Sequence, residues 1–359
     1  MSIAIIGSGI SGSVLQKELP GSVVFEKSKT TSGRLYTVQL ATNEKFDVGA
    51  TFFRDPISYL DGGRQVANFS LRNYLSFHCM DSGFLSAGED IDLFFPKTGM
   101  KCVSTALLDT KNIFLQHELE KISRNPEMES WTLSFTNGKE ASFDTVILAQ
   151  HLPGIISSLK NSGIMTEWDN FTRDYSEYTS ILIITGLWRN LSNDLLSKIH
   201  SLSTIQGERG TEMELITLES KKYPPETNTL ILSIQFSASF SSRNLERWVD
   251  ENYKPLPASF AAAEYFLPRA LALLGLQELE DKVPDEFYPR KWRYAFPDSS
   301  LFERELELDF SSEKYRAYLD MCYKTNIWPI GDWLWGGDVS RCVLGGIELA
   351  KEIKKKGLP

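Results

Sequence analysis

The sequence predicts an α/β protein of two interleaved domains, one built on a parallel nucleotide-binding sheet and the other inserted into it. Three observations predict this. A glycine-rich turn follows a short apolar strand at the N-terminus, "IAIIGSGISG". Buried-strand textures of the same kind return around residues 95–150 and at the C-terminal end. Between them lie long stretches rich in β-branched and aromatic residues, "YTSILIITGLW", "NTLILSIQFSAS" and "EFYPRKWRYAF", with one helical stretch, "PASFAAAEYFLPRALALLGL".

Along the chain, Ile3–Ile6 reads as a short strand of a parallel sheet, buried on both faces. Gly7, Gly9 and Gly12 form the turn, "SVLQKEL" continues as a helix, Pro20 and Gly21 stop it, and "VVFE" is the second strand, ending at Glu26. Strand, turn, helix and strand in this order make a minimal βαβ unit. Further on, "KTGMKCVSTALL" reads as a helix and "NIFLQHELEKI" as one strand. "SWTLSF" and "KEASF" flank Asn137-Gly138, a pair that favours a tight hairpin. "FDTVILAQ" is a buried strand expected to rejoin the first sheet. At the end, "TNIWPIGD" runs from a strand into a turn, and "CVLGGIELAKEIKKK" is a helix whose final lysines complement its dipole. The expected segments are 1–54, 95–155 and 323–359 for the nucleotide domain, with 55–94 and 156–322 for the inserted one.

Composition narrows the function classes. The 359 residues carry 38 basic and 47 acidic side chains, a net charge of −9, which argues against nucleic acid or an anionic membrane as a general partner. Cys79, Cys102, Cys322 and Cys342 have no paired spacing and read as thiols in a reducing compartment. His78, His117, His151 and His200 make no metal-binding pattern, so no protein-held metal is expected. The first apolar residues run directly into the glycine turn, unlike a signal peptide, and "ILIITGLW" is too short to span a bilayer. A cytoplasmic location is the expectation.

The glycine turn has the context of a dinucleotide site. Gly7 permits the tight turn, Gly9 lets a pyrophosphate approach the backbone, and Gly12 lets helix and strand pack closely. The amides of Ile10, Ser11 and Gly12 then open a helix toward phosphate charge. Glu26, nineteen residues after Gly7, is placed to accept both ribose hydroxyls and to repel a 2′-phosphate.

Three further stretches resemble the flavin-dependent amine oxidase superfamily, most closely its renalase-like members: "TTSGRL", "FDVGATFF" and "PIGDWLWGGDVSRCVLGGIELA". By that resemblance Gly33 and Arg34 lie at the FAD pyrophosphate, with Ser32 standing where the family has glycine. Asp47, Gly49, Ala50, Thr51 and Phe52 match the stretch that passes the flavin. The family's closing Gly-Asp binds the ribityl chain. Gly331-Asp332 is preferred over Gly337-Asp338, because Gly345 and Gly346 follow Asp332 by thirteen and fourteen positions. Asp338 is left as a helix-entry carboxylate. Lys27, the backbone near Leu119 and Val343 complete the implied FAD contacts. "FFPKTGMKCVSTAL" and "RKWRYAF" extend the renalase-like match inward.

The flavin would perform the redox chemistry, so no catalytic triad is expected, and no GxSxG elbow occurs. Candidate substrate contacts are Phe53, Tyr178, Trp292, Trp333 and Trp335, although aromatics on strands are more often core. Arg293 would meet a substrate anion or pair with a carboxylate. Lys291 alternates away from Trp292 and does not suit the lysine that many amine oxidases place near the flavin. The resemblance implies noncovalent FAD, a small substrate such as a misreduced isomer of NAD(P)H, and reoxidation by O2 to give H2O2. An amine oxidase, and a flavin-binding sensor without turnover, remain open alternatives.

Overall fold

The computed structural model describes residues 2–61, 65–78, 83–86, 92–125, 130–207, 211–302 and 308–355. Cys79 lies outside them. A five-stranded parallel sheet is assembled from distant parts of the chain, in the order Ile113–Leu115, Val23–Glu26, Ile3–Ile6, Thr145–Leu148 and Ile327–Pro329. Its central strands are apolar and almost wholly buried, as a sheet covered on both faces requires. Helices Ile10–Glu18 and Val339–Lys355 pack together on one face. A Cβ on Gly346 would come 2.2 Å from Val14 Cγ1, and one on Gly345 would come 2.3 Å from the Trp335 indole. Glycine at these two positions lets the closing helix approach both neighbours.

One expected strand divides in two. Within "NIFLQHELEKI", Ile113–Leu115 belongs to the parallel sheet, while Leu119–Asn125 opens an antiparallel meander with Ser130–Phe135 and Glu140–Phe143. Gln116 causes the break, since its left-handed backbone (φ 57°) turns the chain from one sheet to the other. The expected helix in "KTGMKCVSTALL" is regular only over Lys101–Thr105, after a turn in which Gly99 takes φ 107°.

The middle of the chain forms a five-stranded antiparallel sheet in the order Ile205–Gly207, Met213–Leu218, Leu230–Phe236, Tyr178–Trp188 and Glu286–Pro297. Alternation divides its faces. Leu182, Ile184, Leu232 and Ile234 pack under helix Pro257–Leu273 through Ala263, Phe266 and Leu267. Leu187 and Ile231 point the other way, onto Phe46 and Val48 of the first domain. Pro289 is tolerated because its strand lies at the sheet edge.

A fully buried ion cluster joins the domains beneath this contact. Lys222 Nζ lies 2.6 Å from Asp47 Oδ2 and 3.3 Å from Glu219 Oε2, with all three side chains inaccessible to solvent. Tyr223 donates its hydroxyl to Asp47 Oδ2, Thr37 donates to Asp47 Oδ1, and the Asp47 amide donates to Glu219. Two carboxylates share one ammonium. Burial pushes Glu219 up to about 7; Lys222 opposes the shift and the charge of Asp47 adds to it.

A raised carboxyl binds more protons folded than unfolded, so its contribution to stability is greatest below the ordinary glutamate range and is lost as pH rises toward 7. Chemical denaturation across this window should therefore show stability falling with pH, and Glu219→Gln should flatten that dependence. Lys222→Met leaves buried negative charge and should cost about 3–5 kcal/mol at neutral pH. An unchanged pH profile in Glu219→Gln would contradict the raised pKa of the Glu219 carboxyl.

Candidate functional site

The glycine turn lies at the carboxyl end of strand Ile3–Ile6, where the parallel sheet opens between its neighbours. Gly7 has φ 107°, and a Cβ on it would meet Ala149 O at 2.4 Å. A Cβ on Gly12 would meet Gly7 O at 2.0 Å. Gly9 differs from both. Its backbone is one that any residue can adopt (φ −67°, ψ −176°), and a Cβ there would touch nothing within 4 Å. Gly33 faces it, with its own Cβ position 3.5 Å from Gly9 Cα. No side chain caps the helix that begins at Ile10. The amides of Ile10, Ser11 and Gly12 thus open beside a gap kept by two glycines, an arrangement suited to a phosphate.

Glu26 is buried at the end of the second strand. Its Oε2 accepts from the amide and hydroxyl of Ser8, and its Oε1 accepts from the amide of Ser28. About one of its four acceptor positions is left for a ribose hydroxyl unless Ser8 turns away. Ser32, where the resemblance has glycine, takes φ 89° and closes the loop by donating its amide to Ser8 O. The serine accepts the backbone that glycine favours, at a cost of roughly 1 kcal/mol.

Gly49 is required by close packing. A Cβ there would lie 1.9 Å from Arg34 O, and the amides of Val48 and Ala50 donate to Tyr36 O and Arg34 O. Across the cleft, Trp292 donates its indole N–H to Val48 O. The stretch Val48–Phe52 is therefore held by the Arg34–Tyr36 backbone, by the inserted sheet, and by the ion cluster at Asp47.

Arg34 and Asp332, both expected at the cofactor, meet each other. Arg34 Nη1 lies 2.5 Å from Asp332 Oδ2 and also donates to Tyr294 O and Ala295 O. Asp332 Oδ1 accepts from the Tyr178 hydroxyl at 2.9 Å and from the Trp333 amide. Burial disfavours the Arg34 charge, but Asp332 outweighs it and holds the guanidinium firmly protonated. Asp338 serves the other expected role: its Oδ1 accepts from the amides of Ser340 and Arg341 at the start of the closing helix.

The aromatic candidates separate by environment. Trp292 and Tyr178 are half-buried and donate to Val48 O and to Asp332. Phe53 is 1% exposed and packs edge-on against Phe84, while Trp335 is fully buried and stacked on Phe302. Trp333 is fully buried as well. All three, expected as substrate contacts, lie buried among neighbouring side chains. Val343 is also fully buried, behind the turn, and Leu119 begins the meander strand. Arg293 pairs with Glu246 at 2.6 Å, and Lys291 donates to Val249 O, away from Trp292.

Two site residues escaped the sequence reading. Tyr294 lies in the irregular stretch of its strand between Trp292 and Phe296. His151 packs at a tilt of 38° against Tyr294, with ring centroids 4.2 Å apart, and caps helix Leu152–Asn161 by accepting from the Gly154 amide. Burial, with Lys27 and Arg34 nearby, lowers its pKa to about 4, so it is neutral near pH 7. Its position just past the strand Thr145–Leu148, where ligands meet open parallel sheets, was the available signal.

Buried polar groups indicate how a dinucleotide would fit. Gln150 Oε1, beside Gly7, is buried and lacks a hydrogen-bond partner. Together with the open Gly9–Gly33 gap and the uncapped helix, it fits a ligand carrying both phosphates and donors. Among the described residues, no three His, Cys, Asp or Glu side chains converge as a metal site, and no helix is long and apolar enough to cross a membrane.

Comparison with known proteins agrees with this geometry. Residues 5–64 match the model of an NAD(P)-binding Rossmann-like domain, and residues 58–159 match that of flavin containing amine oxidoreductases. No curated protein matches the sequence. A structure from Exiguobacterium sp. 255-15 named for protoporphyrinogen oxidase superposes over 99% of both chains, with 12% identity and a TM-score of 0.65. Reduced UDP-galactopyranose mutase matches 100% of this chain and 94% of its own, with 12% identity and a TM-score of 0.64. Putrescine oxidase bound to putrescine matches over 99% of both chains, with 11% identity and a TM-score of 0.60. At these identities the structures show the shared fold, and the two family models support a flavin-dependent oxidoreductase of the amine oxidase superfamily.

The glycines give a direct test. Gly9→Ala should cost about 1 kcal/mol or less in thermal stability, as expected for a helix-capping position, yet lower flavin retention at least tenfold. Gly12→Ala should destabilise the fold itself by about 1–3 kcal/mol, since its methyl would overlap a backbone carbonyl. Normal flavin retention by Gly9→Ala would show that the gap holds nothing.

Proposed function

We propose that this flavin-dependent oxidoreductase holds FAD noncovalently between the glycine turn and Asp332 and oxidises a small reduced dihydropyridine, such as a misreduced isomer of NAD(P)H. The observation that carries the reading is the Trp292 face of strand Glu286–Pro297, fastened to Val48 beside Gly49–Phe52. A flat ring can stack there in a fixed orientation, and orientation alone contributes several kcal/mol toward a hydride-transfer barrier. Bound FAD supplies the two-electron acceptor for that hydride, and O2 takes up the two electrons with two protons to leave H2O2. The chain's own contribution is to position the substrate ring at Trp292, to exclude water through the packed sheet face, and to neutralise phosphate charge with Arg34 and the helix opening at Ile10.

Noncovalent attachment is supported by the cysteines near the site. Burial pushes the Cys342 thiol well up, which suppresses the thiolate needed for a covalent bond. The free thiols of Cys102 and Cys342 suit a reducing compartment such as the cytoplasm.

An amine oxidase is the second reading, favoured by the family model that spans residues 58–159. The lysines count against it. Lys291 is committed to Val249 O, and Lys222 is held between Asp47 and Glu219.

Four results are expected. Acid precipitation should release yellow FAD into the supernatant, and Asp332→Ala should lose FAD about ten- to hundredfold more readily than Asp338→Ala. Under anaerobic conditions, 2- and 6-dihydronicotinamide isomers should bleach the flavin band quickly, while benzylamine and polyamines should not. Trp292→Ala should slow that bleaching with FAD still bound. Fast reduction by an amine, with the dihydro isomers inert, would replace this reading with the second, and no reduction by either class would leave a flavin-binding protein without turnover.

A further inference from the structure

Arg290 lies on the same face of strand Glu286–Pro297 as Trp292, two residues from the indole that touches the Val48 stretch. Its surroundings set it apart from the other arginines near the cleft. Arg34, Arg189 and Arg293 are each paired with a carboxylate. Among the described residues Arg290 has no carboxylate within ion-pair distance, and its Nε is buried with no hydrogen-bond partner. Three aromatic rings surround the guanidinium instead: Tyr253, Trp292 and Tyr36, with centroids 4.3, 4.8 and 5.2 Å from its central carbon.

Part of this cradle is held under strain. Tyr253 takes a left-handed backbone, φ 61°, in a loop that Asp250 fixes by accepting from the amides of Asn252 and Lys254. A bulky residue seldom accepts that conformation without a role for its side chain. Tyr36 also has a second cation over its ring, with Lys101 Nζ 5.7 Å from the centroid. Burial works against the Arg290 charge, and the rings only partly replace the lost water. A guanidinium in this state retains its planar fork of donors for an oxyanion, in the geometry that matches carboxylate and phosphate.

We propose that Arg290 is a substrate-anchoring residue that receives an oxyanion of the substrate, phosphate or carboxylate, while Trp292 beside it receives the ring. The inference rests on the reading of the Trp292 face as the substrate side of the flavin. It also gives that face a specificity: an unpaired cation repels polyamines and draws in an anionic reduced ring.

The test compares three reduced substrates in the flavin-loaded enzyme: dihydronicotinamide riboside, which is neutral; its 5′-phosphate; and dihydronicotinic acid riboside, which carries a carboxylate on the ring. In the native enzyme KM should be at least tenfold lower for whichever anionic form Arg290 receives than for the neutral riboside. Arg290→Gln should raise that KM ten- to hundredfold with kcat little changed and the neutral riboside unaffected, and Arg290→Lys should recover part of the loss. Preference for the phosphate identifies a nucleotide tail as the anion, and preference for the carboxylate identifies a ring substituent. Equal effects on neutral and anionic substrates would make Arg290 a structural residue and overturn the proposal. Calorimetric titration with inorganic pyrophosphate and with nicotinate requires no turnover, so it separates this inference from the activity. Binding of either anion that is lost in Arg290→Gln supports the anchor even if no dihydro substrate reacts. Absence of binding to the native protein contradicts it even if they do.

Discussion

The contact on which the rest of the site depends is the buried meeting of Asp47, Lys222 and Glu219. Charges taken fully out of water cost several kcal/mol each, and their mutual attraction offsets that only when the geometry is close and the remaining lone pairs are filled. Here the amide of Asp47 and the hydroxyls of Tyr223 and Thr37 fill them. Hydrophobic packing alone would let the hairpin Thr37–Asp47 slide on the inserted sheet. Directional ionic bonds from that sheet's own helix, Glu219–Lys222, fix its place. Such a cluster is weak evidence for stability and better evidence for a defined register between two domains.

From that fixed point the functional surfaces follow in order. Asp47 leads directly into Val48–Phe52, so anchoring the aspartate sets the loop that Trp292 clasps from the opposite domain. The same loop leans on Arg34 O through Ala50, and Arg34 in turn reaches Asp332 on the last short helix. Three sequence-distant pieces thus converge on one cleft. Arg34 and Asp332 satisfy each other's charge there, so under the proposed function a pyrophosphate arriving near Arg34 competes with Asp332 for the guanidinium.

The glycine turn was legible because its spacing encodes backbone geometry directly: Gly7 and Gly12 are required by contacts under 2.5 Å, and such requirements leave a mark in sequence. Gly345 and Gly346 were legible for the same reason, packed against Trp335 and Val14. The long strands and helix of the inserted sheet were legible from texture. The division of "NIFLQHELEKI" was not, because a single left-handed glutamine, Gln116, carries it, and glutamine is no turn signal. Nor was the burial of Phe53 and Trp335, since sequence gives a ring's presence on a strand or helix but not which neighbour it stacks upon. Lys222 and Glu219 carry no signal in "ESKK", because only the tertiary fold brings Asp47 to them. Arg290 was invisible as an unpaired cation for the same reason: the absence of a partner is a property of the whole fold.

The claim that one cleft binds the flavin is tested most directly by amide hydrogen exchange on the protein with its flavin bound and after the flavin has been stripped. The account predicts that bound flavin slows exchange at three separate places together: the amides of Ile10, Ser11 and Gly12, the stretch Val48–Phe52, and residues 331–334. Exchange unchanged at these places, or slowed only elsewhere, would contradict it.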